Sequence, residues 1–168
     1  MGVSDHRASA ERTGPVAYGV LTVSDSRSEA TDESGRLVQR LLAEAGHRLQ
    51  DYELVRNDPQ QIQAAVHRFL LGTAQCLIVT GGTGVGRRDV TVETVTPLLE
   101  KVLPGFGELF RWLGFGEIGS AAMLSRAVCG ISRGKLICCL PGAEAAVRLG
   151  LSKLLLPELS HMLWEANR

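Results

Sequence analysis

The segment "CLIVTGGTGVGRRDVT" (Cys76–Thr91) joins a short apolar run to a glycine-rich loop. Its beginning, Cys76–Thr80, is apolar and β-branched, which is typical of a strand buried on both faces of a parallel sheet. The glycines that follow allow positive φ angles and let another group approach the backbone closely. They are Gly81, Gly82, Gly84 and Gly86. Because the N–H groups of such a loop are free, the segment predicts an α/β fold with an anion site at this strand end.

Strand-like and helix-like patterns alternate on both sides of this segment, from Val16 onward. The alternation predicts one α/β domain at residues 16–168, preceded by a flexible leader at residues 1–15. Further strands are expected at Val16–Val23, Asp51–Val55 and Gly134–Leu140. Helices are expected at Ser34–Gly46, from Asp58-Pro59 onward, at Val92–Val102 with a kink at Pro97, and at about Ala143–Glu165 with a bend at Pro157. Two short helical pieces are expected between residues 103 and 127.

The composition argues against several classes of protein. The 168 residues include 18 Lys and Arg against 18 Asp and Glu, and only 5% are aromatic, so a nucleic-acid-binding role is disfavoured. No apolar run approaches the roughly 20 residues of a membrane span. The four cysteines have no metal-ligand spacing, and we expect buried reduced thiols in a cytoplasmic protein.

The glycine loop resembles two known phosphate-binding patterns without matching either. Gly81 and Gly86 have the spacing of a P-loop, but Arg87 and Arg88 stand where Lys and Ser or Thr are required. The glycine spacing of the dinucleotide fingerprint is also absent. A tight structural turn is therefore one interpretation of the loop. The two arginines and Asp89 favour the other, a site that combines anion donors with a carboxylate able to bind a metal ion.

Polar or conformationally special residues also follow the other predicted parallel strands. Ser24, Asp25 and Ser26 come after the first strand and could either precede a helix or line a site. Asp58 is a good helix N-cap, with Gln61 in position for a capping box. Pro141-Gly142 leaves N–H groups free at a predicted helix start. Since the carboxyl ends of parallel strands share one edge, these loops should meet in a single pocket.

Four motifs, in this order, closely resemble the MoaB/MogA family of molybdenum cofactor biosynthesis proteins. They are "LTVSDSR", "TGGTGVGRRDVT", "LPGFGELFRWLGFGEIGSAAMLSRAVCGI" and "CLPGAEAAVRLGL". The resemblance extends from about Tyr18 to His161. The pieces "PGFGE" and "AAMLSRA" favour the MoaB branch.

The resemblance implies a three-layer α/β/α fold around a mixed, mostly parallel sheet. It also implies homotrimers or homohexamers, and other cofactor-biosynthesis proteins as partners. The apolar segment Phe106–Phe115 favours such an assembly, because a monomer would expose it to water, and its aromatic residues could belong either to the core or to a subunit interface. Adenylyltransferase members of the family transfer AMP from ATP to molybdopterin with Mg²⁺, which gives adenylyl-molybdopterin and pyrophosphate.

The family's functional positions can be transferred residue by residue. Asp58 and Asp89 would be catalytic and would bind Mg²⁺. The residues expected to bind molybdopterin or nucleotide are Ser24, Asp25, Ser26, Thr80, Gly81, Gly82, Thr83, Gly84, Ser125, Arg126, Pro141 and Gly142.

Two hypotheses follow from these positions: an adenylyltransferase, or a non-catalytic protein that holds or delivers molybdopterin. They are separated by Asn57, which aligns where active members often carry an acidic residue, with Asp58 one step away. Val92, in place of the proline that commonly follows "DVT", is a second departure from the family pattern.

Overall fold

The computed structural model describes residues 14–168. The leader expected at residues 1–15 therefore lies, except for Gly14 and Pro15, outside the described residues.

Six strands and six α-helices make up the described part of the chain. The strands are Ala17–Val23 (β1), Arg48–Val55 (β2), Cys76–Thr80 (β3), Lys101–Val102 (β4), Val128–Ser132 (β5) and Lys135–Leu140 (β6). The α-helices are Glu33–Glu44 (α1), Pro59–Leu71 (α2), Thr91–Val95 (α3), Pro104–Ile118 (α4), Glu144–Leu149 (α5) and Leu156–Asn167 (α6). Three 3₁₀ turns lie at Glu29–Thr31, Thr96–Leu98 and Gly119–Leu124, and a π-helical segment at Gly150–Leu155 joins α5 to α6.

All six strands form one sheet in the order β2-β1-β3-β6-β5-β4. Strands β2, β1, β3 and β6 run parallel to one another, whereas β5 is antiparallel to both of its neighbours. The strand ends that carry the predicted site belong to the parallel part and open on the same edge.

Helices cover both faces of this sheet. On one face, the buried side chains of α1, α4, α5 and α6 pack with alternate strand residues such as Tyr18, Ile78 and Cys138. On the other face, α2 and α3 pack with the intervening residues, such as Leu77 and Ile137. Since successive side chains of a strand point to opposite faces, a strand covered on both sides must be apolar throughout. The three-layer fold with a mixed, mostly parallel sheet is confirmed.

The helix expected at Val92–Val102 is wrong in its second half. The α-helix ends at Val95, the 3₁₀ turn that contains Pro97 follows, and Lys101–Val102 pair with β5 as an edge strand. Pro97 cannot donate the backbone hydrogen bond that would continue the α-helix. Thr91, the first residue of this helix, donates its hydroxyl to the carbonyl of Gly81 at 2.8 Å.

The middle of the chain is more regular than its sequence indicates. One 15-residue helix, α4, replaces the first of the two short pieces, and the 3₁₀ turn Gly119–Leu124 replaces the second. Strand β5 was not expected from the sequence. In it, Gly130 faces the carbonyl of Lys101 so closely that an added β carbon would lie 2.5 Å from that oxygen.

The C-terminal helical segment deviates from α-helical geometry before Pro157, the residue at which a bend was expected. Residues Gly150–Leu155 are π-helical, and Pro157 occupies the first turn of α6. A proline in that position has no N–H to return to the preceding turn, and the wider π turn accommodates the change. Within residues 14–168, no helix has the length and hydrophobicity needed to span a bilayer.

Candidate functional site

A cavity of about 930 Å³ lies at the carboxyl edge of the parallel strands. The loops after β1, β2, β3 and β6 all contribute to its wall, which confirms that these strand ends meet in a single pocket. Among the residues predicted for the site, only Asp58 and Arg126 are missing from the wall. The predicted residues that do line the cavity are Ser24, Asp25, Ser26, Thr80, Gly81, Gly82, Thr83, Gly84, Asp89, Ser125, Pro141 and Gly142.

The glycine loop begins with two residues in the left-handed region. Gly81 has φ +90° and Gly82 has φ +61°. A β carbon on Gly81 would lie 2.2 Å from the carbonyl oxygen of Val23, and the N–H of Gly81 donates to the carbonyl of Leu140 at 3.0 Å. The loop therefore passes between the ends of β1 and β6, where only glycine fits.

Asp89 closes the second half of the loop on itself. Its Oδ2 accepts a hydrogen bond from the N–H of Gly86 at 2.9 Å. A β carbon on Gly84 would lie 2.6 Å from the same oxygen, and one on Gly86 would lie 2.7 Å from it. Gly84 and Gly86 are therefore needed because the Asp89 carboxylate lies so close to them. Gly81 and Gly82 are the glycines of this loop that have left-handed backbone angles.

Arg126 stands behind the glycine loop. Its Nε donates to the carbonyl of Thr83 at 2.9 Å, its Nη2 donates to the carbonyl of Gly84, and it forms an ion pair with Glu93 on α3. The hydrogen bond from Arg126 is the main cause of the lowered pKa of Glu93. Arg126 therefore lies outside the cavity wall, where its guanidinium contacts two loop carbonyls and a carboxylate, and its expected contact with a ligand stays a prediction.

The residue after β2 that lines the cavity is Asn57 and not Asp58, which was the residue expected there. Asp58 is the N-cap of α2, because its Oδ1 accepts from the N–H of Gln61 at 2.9 Å, and its side chain lies outside the cavity wall. Asn57, one residue earlier, lines the cavity, and its Oδ1 is buried without a hydrogen-bond partner. The placement of Asp58 in the site is thus corrected, since the start of α2 turns its carboxylate towards the helix.

Two charged residues of the wall link separate strand ends. Asp25, after β1, accepts a hydrogen bond from the N–H of Asn57 at 3.0 Å. Its other oxygen lies 3.6 Å from a guanidinium nitrogen of Arg88, whose side chain is 85% exposed. Arg87 also lines the cavity. The arginines after the glycine loop are therefore available for an anionic ligand.

Beneath the cavity lies a buried carboxylate that the sequence analysis missed. Asp32, which is 1% exposed, accepts hydrogen bonds from the hydroxyls of Thr22 at 2.6 Å, Ser34 at 3.0 Å and Tyr52 at 2.8 Å. It also caps α1 by accepting from the N–H of Gly35 at 2.9 Å. An aspartate two residues before the serine that opens the predicted helix was a signal for the cap, but nothing local indicated the other partners.

These hydrogen bonds determine the charge of Asp32. Burial by itself would raise the pKa of its carboxyl, but hydrogen bonds from Thr22, Gly35, Tyr52 and Ser34 outweigh burial and lower that pKa below the ordinary value. The group is therefore ionised at neutral pH. A carboxyl whose pKa is lower in the folded state stabilises the fold above the unfolded-state pKa, and this contribution disappears as the pH falls through the folded pKa.

We expect the free energy of unfolding to decrease as the pH falls below the ordinary carboxyl pKa of about 4, because the unfolded chain then takes up a proton at Asp32 before the folded protein does. An Asp32→Asn variant should be less stable than the wild type at pH 7 but lose less stability on acidification, since it has no charge to lose. Urea unfolding at pH 7 and pH 3 for both proteins measures the difference. Equal acid-induced losses in the two proteins would contradict this assignment.

The cysteines take no part in the cavity. Cys76, Cys129, Cys138 and Cys139 are free and fully buried in the strands, as expected. Burial raises the pKa values of the Cys76, Cys138 and Cys139 thiols, so these groups stay protonated and unreactive.

The chain is similar to proteins of one family over almost its whole length. Residues 19–161 match the family model described as a probable molybdopterin binding domain. The molybdenum cofactor biosynthesis protein B of Bacillus cereus is 45% identical over 170 residues, covering 100% of this chain and 99% of its own length. The corresponding protein of Bacillus subtilis is 41% identical, with the same coverage.

Solved structures of molybdenum and tungsten cofactor biosynthesis proteins also superpose closely on this chain. A crystal structure of a molybdenum cofactor biosynthesis protein B superposes with a TM-score of 0.89 at 46% identity, covering 92% of this chain and 97% of the other. The tungsten cofactor synthesizing protein MoaB from Pyrococcus furiosus superposes with a TM-score of 0.84 at 35% identity, covering 92% and 98%. The chain therefore belongs to the MoaB/MogA family of molybdenum cofactor biosynthesis proteins.

Proposed function

We propose that this protein acts in molybdenum cofactor biosynthesis as a Mg²⁺- and ATP-dependent molybdopterin adenylyltransferase. The observation that carries the proposal is the single cavity whose wall combines the glycine loop with the arginines Arg87 and Arg88 and the carboxylates Asp25 and Asp89. A volume of about 930 Å³ is at the upper end of the range for small-molecule sites, and it has room for more than one substrate group.

The reaction requires little covalent chemistry from the protein. A terminal phosphate oxygen of molybdopterin attacks the α-phosphorus of ATP, the bond from that phosphorus to the bridging oxygen breaks, and pyrophosphate leaves with its electrons. The nucleophile is already an anion, so no serine or cysteine activated by histidine is needed. The part of the chain that the structure describes has neither histidine nor cysteine in the cavity wall.

The protein's task is then to bring two anionic groups together and neutralise their charge. The N–H groups of the glycine loop and the side chains of Arg87 and Arg88 are suited to phosphate oxygens. The outer contacts of Arg126 keep the loop in place, so its donors need no rearrangement when a ligand binds.

A magnesium ion fits the donors of this cavity. Mg²⁺ in nucleotide sites is usually held by one or two carboxylates together with substrate phosphates, and Asp89 and Asp25 both line the wall. Within residues 14–168, no cluster of three or more His, Cys, Asp or Glu side chains could hold a metal ion without substrate. We propose Asp89 as the principal ligand, with Asp25 in the role expected of Asp58. Bound there, the ion would neutralise phosphate charge.

A second function, molybdopterin binding or delivery without adenylyl transfer, is favoured by one observation. The residue after β2 that lines the cavity is the neutral Asn57, whereas Asp58 caps a helix. A weaker metal site would preserve ligand binding and lose catalysis.

Incubation of the purified protein with molybdopterin, ATP and Mg²⁺ separates the two functions. The adenylyltransferase predicts adenylyl-molybdopterin and an equal amount of pyrophosphate, both absent when ATP is replaced by a non-cleavable α,β-methylene analogue. Molybdopterin binding without either product would support the delivery protein instead. Absence of binding would contradict both.

We further propose a homotrimer or homohexamer assembled through α4 and the 3₁₀ turn after it. This region exposes an unusual set of large apolar side chains, which a monomer would leave in water. They are Leu109, Trp112, Phe115, Ile118, Met123 and Leu124.

Trp112→Glu should dissociate the assembly, because it places a charge among these apolar side chains. Light scattering at micromolar concentration should give a trimer or hexamer of the 18.1-kDa chain for the wild type and a smaller species for the variant. Leu71→Glu is the matched control, since Leu71 is 79% exposed on α2, which packs on the opposite face of the sheet. A monomeric wild type, or equal dissociation by both variants, would contradict the interface.

A further inference from the structure

Three hydroxyl groups at the base of the cavity form one hydrogen-bonded chain. Thr22 and Ser34 contact Asp32, and the hydroxyl of Ser34 lies 2.8 Å from that of Thr80. All three hydroxyl residues belong to the cavity wall, and Ser34, at 8% exposure, is the most accessible of them. The direction of each hydrogen bond therefore decides what the base of the cavity offers to a ligand.

The directions follow from counting protons. An ionised carboxylate can only accept, so Thr22 and Ser34 both donate to Asp32. Each hydroxyl has one hydrogen, and that of Ser34 is already used. The contact between Ser34 and Thr80 must then have Thr80 as its donor. None of the three hydroxyl groups has a hydrogen left for a ligand. The oxygen of Ser34 keeps one lone pair that can accept a hydrogen bond.

The negative charge of Asp32 also disfavours an anionic ligand group at the base of the cavity. No Lys or Arg of residues 14–168 forms an ion pair with Asp32, whose negative charge is balanced only by hydrogen bonds. A phosphate would be repelled by this carboxylate, and it would find no donor among the three hydroxyls. The base of the cavity is thus suited to a neutral group with N–H donors, while Arg87 and Arg88 serve the anionic groups elsewhere in the wall.

We infer that Ser34, oriented by Asp32, is a specificity-determining acceptor for the amino group of the ligand's heterocycle. Asp32 is a positioning residue, since it acts only through Ser34. The inference rests on the proposed function, in which both substrates carry such a group: adenine at position 6 and the pterin at position 2. One hydrogen bond to the amino group is the chemistry shared by the two sources.

Two pairs of probes test this inference by calorimetry in the presence of Mg²⁺. The first pair is ATP and purine riboside triphosphate, which lacks the amino group. The second is 6-hydroxymethylpterin monophosphate and its lumazine counterpart, in which a carbonyl replaces that group. Wild-type protein should bind the amino-bearing member of one pair about fivefold to tenfold more tightly, the usual effect of one net hydrogen bond. The pair that shows the preference identifies the heterocycle at Ser34.

Ser34→Ala should reduce this preference to about one, because the acceptor is removed. In Asp32→Asn the amide oxygen must keep the position that accepts from the N–H of Gly35, which is also the position that accepts from Ser34. The amide nitrogen then faces Thr22 and Tyr52, and Ser34 keeps its orientation. That variant should therefore keep the preference, whereas Asp32→Ala, which removes the acceptor of the serine hydrogen and lets Ser34 donate into the cavity, should lose it or reverse it towards the member without the amino group. A ratio of affinities is unaffected by partial unfolding of a variant, which lowers both values equally.

Tyr52→Phe is the matched control. It removes another hydrogen bond to Asp32, on a residue outside the cavity wall, and leaves the chain from Thr80 through Ser34 intact. It should lower thermal stability and keep the wild-type preference. The inference would be overturned if the preference for the amino-bearing probe persisted in Ser34→Ala or were lost equally in Tyr52→Phe. It would also be overturned if wild-type protein showed no preference in either pair. If wild type binds none of the four probes, the proposed function fails together with it.

Discussion

Replacement of Asp89 by asparagine is expected to lower the rate of adenylyl transfer about a hundredfold to a thousandfold, with molybdopterin binding close to that of the wild type. Asparagine has the size of aspartate and can still accept the hydrogen bond from the N–H of Gly86, so the loop should keep its shape. It lacks the negative charge that attracts Mg²⁺, an ion that prefers charged oxygen ligands. The expected factor is that of losing one electrostatic contact to a transition state.

The measurement is the initial rate of pyrophosphate release, together with the dissociation constant of molybdopterin for the same variant. Asp51→Asn, a change of the same kind on β2 and outside the cavity wall, is the control that should leave both values unchanged. If Asp89 only stabilised the loop, its replacement would cost about 1 kcal/mol of stability and leave turnover unaltered. Wild-type turnover in Asp89→Asn would therefore assign this residue to structure and favour the delivery protein.

Gly81→Ala is expected to lower the free energy of unfolding by about 3 kcal/mol, the largest stability effect we predict. Two costs combine at this position. The residue has φ +90°, where an L side chain is strained, and its β carbon would meet the carbonyl oxygen of Val23 at 2.2 Å. That oxygen belongs to β1, which is hydrogen-bonded on both sides and cannot move without disturbing β2 or β3.

Gly46→Ala separates the two costs. Gly46 has a similar φ of +85°, but no atom lies within 4 Å of the position of its β carbon. It should show only the backbone strain, about 1 kcal/mol. Urea unfolding curves for the two variants measure the difference, which is the cost of the collision with Val23. Equal losses in both would mean that β1 and the glycine loop adjust freely, and that the loop is not the rigid element proposed for phosphate binding.

The sequence by itself determined the class of fold and the edge of the sheet at which the cavity lies. Strands buried on both faces leave an apolar run such as Cys76–Thr80, and a parallel sheet brings the ends of such strands together. For this reason the serines and aspartate after β1, the glycine loop and Pro141-Gly142 could be assigned to one cavity before any contact was known. The strands and the loops that follow them are recognised from the local pattern of apolar, polar and glycine residues. The alternation of strands and helices then indicates that the strands run parallel.

Only the tertiary structure decided which way the remaining side chains point. Asn57 and Asp58 are neighbours, yet Asn57 lines the cavity and the carboxylate of Asp58 caps α2. Arg126 reaches the back of a loop 42 and 43 residues earlier in the chain. Lys101–Val102 become a strand because β5 offers them backbone partners.

The network around Asp32 shows the same limit most clearly. Its partners come from β1, α1 and β2, and it extends through Ser34 to Thr80, 46 residues away along the chain. A sequence pattern reports the phase of each helix or strand, and the aspartate before Ser34 was a signal for the cap that the sequence analysis missed. Which hydroxyls then share one carboxylate depends on how the elements are placed in three dimensions, and packing of the whole fold sets that arrangement.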